Sequence, residues 1–127
     1  MIAIHAGCML AGIVSLAAGI SIAMRRRKGW WLRVHRWFGS TGVSGLLLGV
    51  VAALYMVSRQ TGQHFTVPHA WLGIVTVLAV VGTYLIGVTQ LKTKTPRMRP
   101  LHRWAGRVAF MLLFLTILSG LFLTGVL

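Results

Sequence analysis

Acidic side chains are absent from this chain, which has 13 lysine and arginine residues but no aspartate or glutamate among its 127 residues. Aspartic proteases, glycosidases, EF-hands and metalloproteases all depend on carboxylates, so these classes are excluded. The single cysteine, Cys8, excludes an internal disulfide and a zinc site made of several cysteines. Charged residues make up 10% of the chain, whereas a soluble domain has about 25%. Because 57% of the residues are hydrophobic, the composition predicts a small integral membrane protein.

The positive charges fall into two clusters separated by long segments with almost no charge. The first cluster comprises Arg25, Arg26, Arg27, Lys28, Arg33 and Arg36, and the second comprises Lys92, Lys94, Arg97, Arg99, Arg103 and Arg107. A nucleic-acid groove needs basic residues spread along a solvated surface, and these segments do not supply them. No nucleic-acid partner is therefore expected.

Four apolar runs are each long enough to cross a membrane, and they are predicted at residues 2–24, 35–58, 67–91 and 101–126. About 20 helical residues span a hydrocarbon core of about 30 Å, and backbone groups in lipid must be hydrogen-bonded internally. The sequence predicts an all-α membrane protein: one transmembrane four-helix domain over residues 1–127, a bundle running up-down-up-down. The sequence therefore also predicts that the lipid bilayer is a partner of the chain.

The charge pattern also predicts an orientation. Short loops rich in lysine and arginine stay in the cytoplasm, and both clusters follow odd-numbered spans. The loop between the second and third spans carries Arg59 as its one fixed charge. We therefore expect cytoplasmic basic loops and both termini outside, in a bacterial inner membrane.

The chain contains an internal repeat. Residues 34–39 align with residues 101–106, both containing His-Arg-Trp-x-Gly, and the His-Ala pair at 5–6 aligns with that at 69–70. Two copies separated by an even number of spans have the same topology. The bundle is therefore predicted to consist of two repeated helical hairpins.

One histidine lies near the start of each span: His5, His35, His69 and His102. His5 and His69 fall near the outer ends of the first and third helices, and His35 and His102 near the inner ends of the second and fourth. Alternate helices of an up-down-up-down bundle are diagonal, so each pair can ligate one haem iron from both sides. A lone histidine here could equally be an interfacial side chain, but four at repeat-related positions favour metal ligation.

Glycines and arginines near the histidines suit a macrocycle with two propionates. Glycines lie four residues, or one helical turn, after three of the histidines, and the face below His35 continues through further glycines. These two sets are Gly39, Gly73 and Gly106, and Gly42, Gly45 and Gly49. Close packing of membrane helices is the alternative role for such glycines. Arg36 and Arg103 are predicted to bind the propionates, with topology and anionic-lipid contacts as the alternative.

With one histidine on each of four consecutive helices, the chain resembles the core of the cytochrome b561 family. The resemblance implies two b-type haems, with His5 and His69 at the outer one and His35 and His102 at the inner one. It also implies electron transfer between a donor and an acceptor on opposite faces. Family members commonly have six helices, and the helix on either side of this core is missing here. That leaves room for a homo-oligomer or a larger redox complex.

Three functions are compatible with these features. The favoured one is a transmembrane electron carrier with two bis-histidine haems. The second is a haem-bearing membrane anchor of a larger, quinone-linked oxidoreductase, and the third is a haem-free bundle with interfacial histidines. The sequence leaves open whether the chain is an electron-transfer cytochrome b or a transmembrane oxidoreductase, and it does not identify donor or acceptor.

Overall fold

Four long helices make up the chain. The structure, a computed structural model, describes residues 2–25, 29–60 and 62–125. The helices are α1 (Ile2–Arg25), α2 (Trp31–Gln60), α3 (Pro68–Thr93) and α4 (Met98–Leu123), and all four are long and apolar enough to cross a membrane. No strand occurs in these ranges. The predicted all-α, four-helix transmembrane fold is confirmed.

The helix boundaries differ from the predicted spans mainly at the basic ends. The second and fourth helices begin at Trp31 and Met98 instead of residues 35 and 101. Pro100 does not delay α4 because the first turn of a helix needs no N–H donor. The third helix begins at Pro68, and it ends before Lys94, whose left-handed backbone caps it with an N–H bond to the Gln90 carbonyl. The basic residues at 26–28 lie outside the described residues.

The first hairpin, Met1–Gln63, contains α1 and α2 and packs through glycine. A Cβ added at Gly12 would lie 3.0 Å from both the Gly42 carbonyl oxygen and the Leu46 nitrogen, and one at Gly45 would lie 3.0 Å from the Gly12 Cα. Small residues let membrane helices approach until their backbones nearly touch. Leu46, which is 1% exposed, fills the centre of this interface.

The second hairpin, His64–Leu127, contains α3 and α4 and packs around a buried polar pair. Thr76 is 1% exposed, and its hydroxyl lies 2.7 Å from that of Thr116. The Thr116 hydroxyl donates to the Leu112 carbonyl at 2.8 Å, so Thr76 is the donor between the two threonines. Ala109 and Leu113 complete the buried surface of α4.

The packing follows the internal repeat. In the register of the His-Ala pairs, Gly12 of α1 aligns with Thr76 of α3, and both are buried. In the register of the His-Arg-Trp motifs, Leu46 of α2 aligns with Leu113 of α4, and both are buried. Equivalent positions therefore form the interface in each hairpin.

One pair of aligned positions exchanges large and small residues. In the first hairpin, Met9 packs on Gly49, where an added Cβ would lie 3.0 Å from the Met9 Cε. The aligned pair in the second hairpin is Gly73 and Thr116, and a Cβ at Gly73 would lie 4.0 Å from the Thr116 Cγ2. Each hairpin has one larger and one small residue at this level, on opposite helices.

Candidate functional site

Both histidines of the first hairpin hydrogen-bond to the backbone of the opposite helix. His5, at the start of α1, places Nδ1 2.8 Å from the Gly49 carbonyl oxygen of α2. His35, near the start of α2, places Nδ1 2.9 Å from the Gly19 carbonyl oxygen of α1. A carbonyl can only accept, so both Nδ1 atoms carry the proton. The two rings are held at opposite ends of the hairpin.

The second hairpin holds its histidines in a similar way, with one difference. His102 donates from Nδ1 to the Thr83 carbonyl oxygen at 3.0 Å. The His69 Nδ1 lies 2.9 Å from the Ser119 hydroxyl, which itself donates to the Thr116 carbonyl at 2.9 Å. That hydroxyl has one proton and has given it to Thr116, so it accepts from His69.

All four histidines therefore have the same tautomer when neutral. With the proton on Nδ1, the lone pair lies on Nε2, which is the nitrogen that can bind a metal. Metal-bound histidines in proteins almost always donate their other N–H to a carbonyl, a carboxylate or water. All four side chains are half-buried. Each ring therefore makes the Nδ1 hydrogen bond that is typical of a metal-bound histidine.

Each hairpin presents its imidazoles at two levels. The carbonyl that accepts from His35 belongs to Gly19, fourteen residues after His5 on α1. The carbonyl that accepts from His102 belongs to Thr83, fourteen residues after His69 on α3. At 1.5 Å of rise per residue, this spacing is about 21 Å in each hairpin. Imidazoles separated by this distance along membrane-spanning helices lie at different depths.

Space is open beside one of the histidines. A Cβ at Gly39, one turn after His35, would meet no atom of the described residues within 4 Å, which is the room that a flat macrocycle would need. A Cβ at Gly106 would lie 3.7 Å from the Thr83 Cγ2, and one at Gly73 would lie 4.0 Å from the Thr116 Cγ2, and these are ordinary contacts with the other helix of the hairpin. The macrocycle role of Gly73 and Gly106 stays a prediction.

The other predicted haem-facing glycines have a different role. A Cβ at Gly42 would lie 2.6 Å from the Leu16 Cγ, one at Gly45 would contact Gly12, and one at Gly49 would contact Met9. The prediction that Gly42, Gly45 and Gly49 continue the macrocycle face is wrong. They contact α1 because the interface of the first hairpin follows this stripe of α2, which is the packing role given above as the alternative.

Two glycines that sequence reasoning missed lie against histidine rings. A Cβ at Gly87 would lie 2.9 Å from the His102 Cε1, and one at Gly120 would lie 2.9 Å from the His69 Cε1. Both glycines are on the helix opposite the histidine. The role of these glycines, like that of Ser119, depends on the register in which two antiparallel helices pack. No local motif in the sequence indicates that register.

The predicted propionate-binding arginines are exposed helical residues. Arg36 directly follows His35 on α2, and Arg103 directly follows His102 on α4. Two other arginines make cation–π contacts: Arg107 lies over the Trp104 ring at 5.1 Å, and Arg59 lies over the Tyr55 ring at 5.4 Å. The role of Arg36 and Arg103 stays a prediction.

Within the described ranges, no group of three or more histidine, cysteine or acidic residues could hold a metal ion. A site made by protein ligands alone would need such a group.

A family model described as eukaryotic cytochrome b561 matches residues 4–126, nearly the whole chain. No curated protein and no solved structure matches the chain. The match carries with it electron transport by haem b in a membrane, and it gives no support for a bacterial source. An integral membrane protein with a histidine near the start of each of its four spans, the chain belongs to the cytochrome b561 family.

Proposed function

We propose that the chain transfers electrons across the membrane through two b-type haems, one near each face. His5 and His69 would hold the outer haem, and His35 and His102 the inner one. The observation that carries this proposal is the shared Nδ1 hydrogen bond, which leaves Nε2 of each neutral ring as the ligand atom. The family match supports the use of haem b.

The hydrogen bonds give the ligands their orientation and strength. Each Nδ1–H bond fixes the tautomer and the ring plane, and it makes Nε2 a stronger donor to a metal. Because the acceptors lie on the opposite helix of the same hairpin, each ring is fixed by helix packing and not by a loop. The four histidines would hold the haem iron, which would supply one-electron transfer when bound.

Further residues provide space and charge. Gly39 leaves open space beside His35, and Gly73 and Gly106 would keep side-chain bulk away from His69 and His102. Arg36 and Arg103 would supply guanidinium groups to the propionates of the inner haem, because arginine and carboxylate form strong paired hydrogen bonds. With basic loops in the cytoplasm, the inner haem would exchange electrons with a cytoplasmic partner and the outer haem with one on the other side.

The haem-to-protein ratio of the purified chain, with oxidised and reduced spectra, tests this proposal. We expect two low-spin b-type haems per chain. One haem would leave one histidine pair without a role and would favour the membrane-anchor function. No haem after expression with haem supplied would overturn the proposal.

A further inference from the structure

We propose that Ser119 is a positioning residue for His69 and sets the potential of the outer haem. This inference rests on the proposed function, because it takes His69 to be an iron ligand. His5, His35 and His102 donate from Nδ1 to backbone carbonyls, whereas His69 donates to the Ser119 side chain. Ser119 can therefore be changed by substitution, whereas a carbonyl acceptor cannot.

The repeat explains how Ser119 comes to this position. In the register of the His-Arg-Trp motifs, Gly49 aligns with Thr116, and the Gly49 carbonyl accepts directly from His5. The Thr116 carbonyl instead accepts from the Ser119 hydroxyl, which accepts from His69. One hydroxyl is thus inserted into a contact that is direct in the first hairpin.

Gly120, the residue after Ser119, leaves room for the His69 ring. Gly120 faces the His69 ring so closely that a Cβ there would lie 2.9 Å from Cε1. The aligned residues of α2 are Ala52 and Ala53. Neither has a hydroxyl, and neither is a glycine. Ser119 and Gly120 therefore form a local arrangement that belongs to the second hairpin.

The hydroxyl affects the iron through the imidazole. Donation from Nδ1–H increases the basicity of the ligand nitrogen, and a more basic ligand stabilises ferric iron. The bond from Ser119 to Thr116 polarises the hydroxyl and makes it a better acceptor. Removing this hydroxyl leaves His69 a weaker donor to iron, so the potential of the outer haem rises.

Ser119→Ala tests the inference in the full-length, haem-loaded chain by redox titration followed at the haem absorption bands. We expect two haems and two waves, with the outer wave moved to higher potential and the inner wave unchanged. The wave missing in His69→Ala identifies the outer haem. Ser119→Thr keeps the hydroxyl and should leave both waves in place.

Thr124→Ala is the matched control. The Thr124 hydroxyl donates to the carbonyl three residues earlier, at Leu121, as Ser119 does to Thr116, but it is exposed at the end of α4. This variant should leave both waves unchanged. A shift of the same size in the control would show a general effect of hydroxyl loss and would overturn the inference.

The remaining outcomes are also decisive. Unchanged waves in Ser119→Ala, equal movement of both waves, or the same shift in Ser119→Thr would each overturn the inference. Loss of the outer haem in Ser119→Ala but not in Ser119→Thr would support it, because the hydroxyl would then be needed to position the ligand. A His69→Ala variant that keeps two haems would instead contradict the proposed function, whatever Ser119 does.

Discussion

At the scale of the residue, the important contact is the hydrogen bond that Nδ1 of each histidine makes to the other helix of its hairpin, because this bond fixes the tautomer of the ring. In all four histidines, Nδ1 is hydrogen-bonded to an atom of the neighbouring helix. The four histidines could be recognised in the sequence because each lies in a short motif, His-Ala or His-Arg-Trp-x-Gly, that occurs in both halves. Their acceptors could not, since Gly19, Gly49 and Thr83 act through carbonyls that every residue has.

Replacing an inner ligand should remove one haem. We expect the His102→Ala variant to bind one haem and the unmodified chain to bind two. In the variant, only the His35 imidazole would remain to hold the inner haem. Pyridine haemochrome assay against protein concentration measures this ratio. His64→Ala is the control: His64 lies in the loop before α3, its ring centroid 6.2 Å from that of Phe65, and should keep both haems. Equal haem loss in both variants would contradict the ligand assignment.

Two glycine substitutions should act on different haems. Gly120→Ala places a methyl 2.9 Å from the His69 ring, and Gly87→Ala places one 2.9 Å from the His102 ring. Real carbon atoms do not approach so closely, so each ring must move by several tenths of an ångström. We expect Gly120→Ala to change the low-spin electron paramagnetic resonance signal of the outer haem and Gly87→Ala that of the inner one. Each variant is the control for the other, and a change at the same haem in both would disprove the assignment.

At the scale of the element, the two hairpins achieve similar packing with different residues. The first uses near-contact of backbones at Gly12, Gly42 and Gly45, and the second uses the hydroxyl pair of Thr76 and Thr116. Helix existence and type followed from apolar runs of sufficient length. The glycine stripe of α2 faces α1 and not the predicted macrocycle, because sequence spacing identifies a smooth helix face without identifying what packs on it.

Gly12→Ala should loosen the first hairpin. The new Cβ would lie 3.0 Å from atoms of the Gly42 and Leu46 backbone, which cannot rotate away. Overpacking of this kind costs about 1–3 kcal/mol. A lower midpoint in detergent unfolding followed by circular dichroism would show it. Gly7→Ala, also on α1 but with no described atom within 4 Å of the added Cβ, should leave the midpoint unchanged. Equal midpoints in the two variants would refute the close-packing argument.

At the scale of the whole molecule, the dominant property is a net charge of +13 with no acidic side chain. No ion pair between side chains can form within the chain, so its cations need anions from elsewhere. Anionic lipid headgroups, haem propionates and acidic partner surfaces are the groups that could supply them. The same charge distribution predicted the orientation, which depends on the bilayer and so cannot be read from helix packing.

Cysteine labelling tests that orientation. In a Cys8→Ser background, Gln63→Cys in the weakly charged loop should react with a membrane-impermeant maleimide in intact cells. Thr95→Cys in the basic connection should react only after the membrane is permeabilised, because basic loops are retained in the cytoplasm. Both positions are exposed, so access to reagent is the variable that differs. The reverse labelling pattern would invert the assignment of outer and inner haems.

The exchange of large and small residues between the hairpins has a consequence for which helices pair. Met9 packs on Gly49, and Thr116 lies opposite Gly73. If α1 paired with α4 instead, Met9 would meet Thr116, and the two larger side chains would compete for the same space. If α3 paired with α2, Gly73 would face Gly49, and neither would have a larger side chain to contact. We therefore expect α1 to prefer α2, and α3 to prefer α4, when the chain inserts into a membrane.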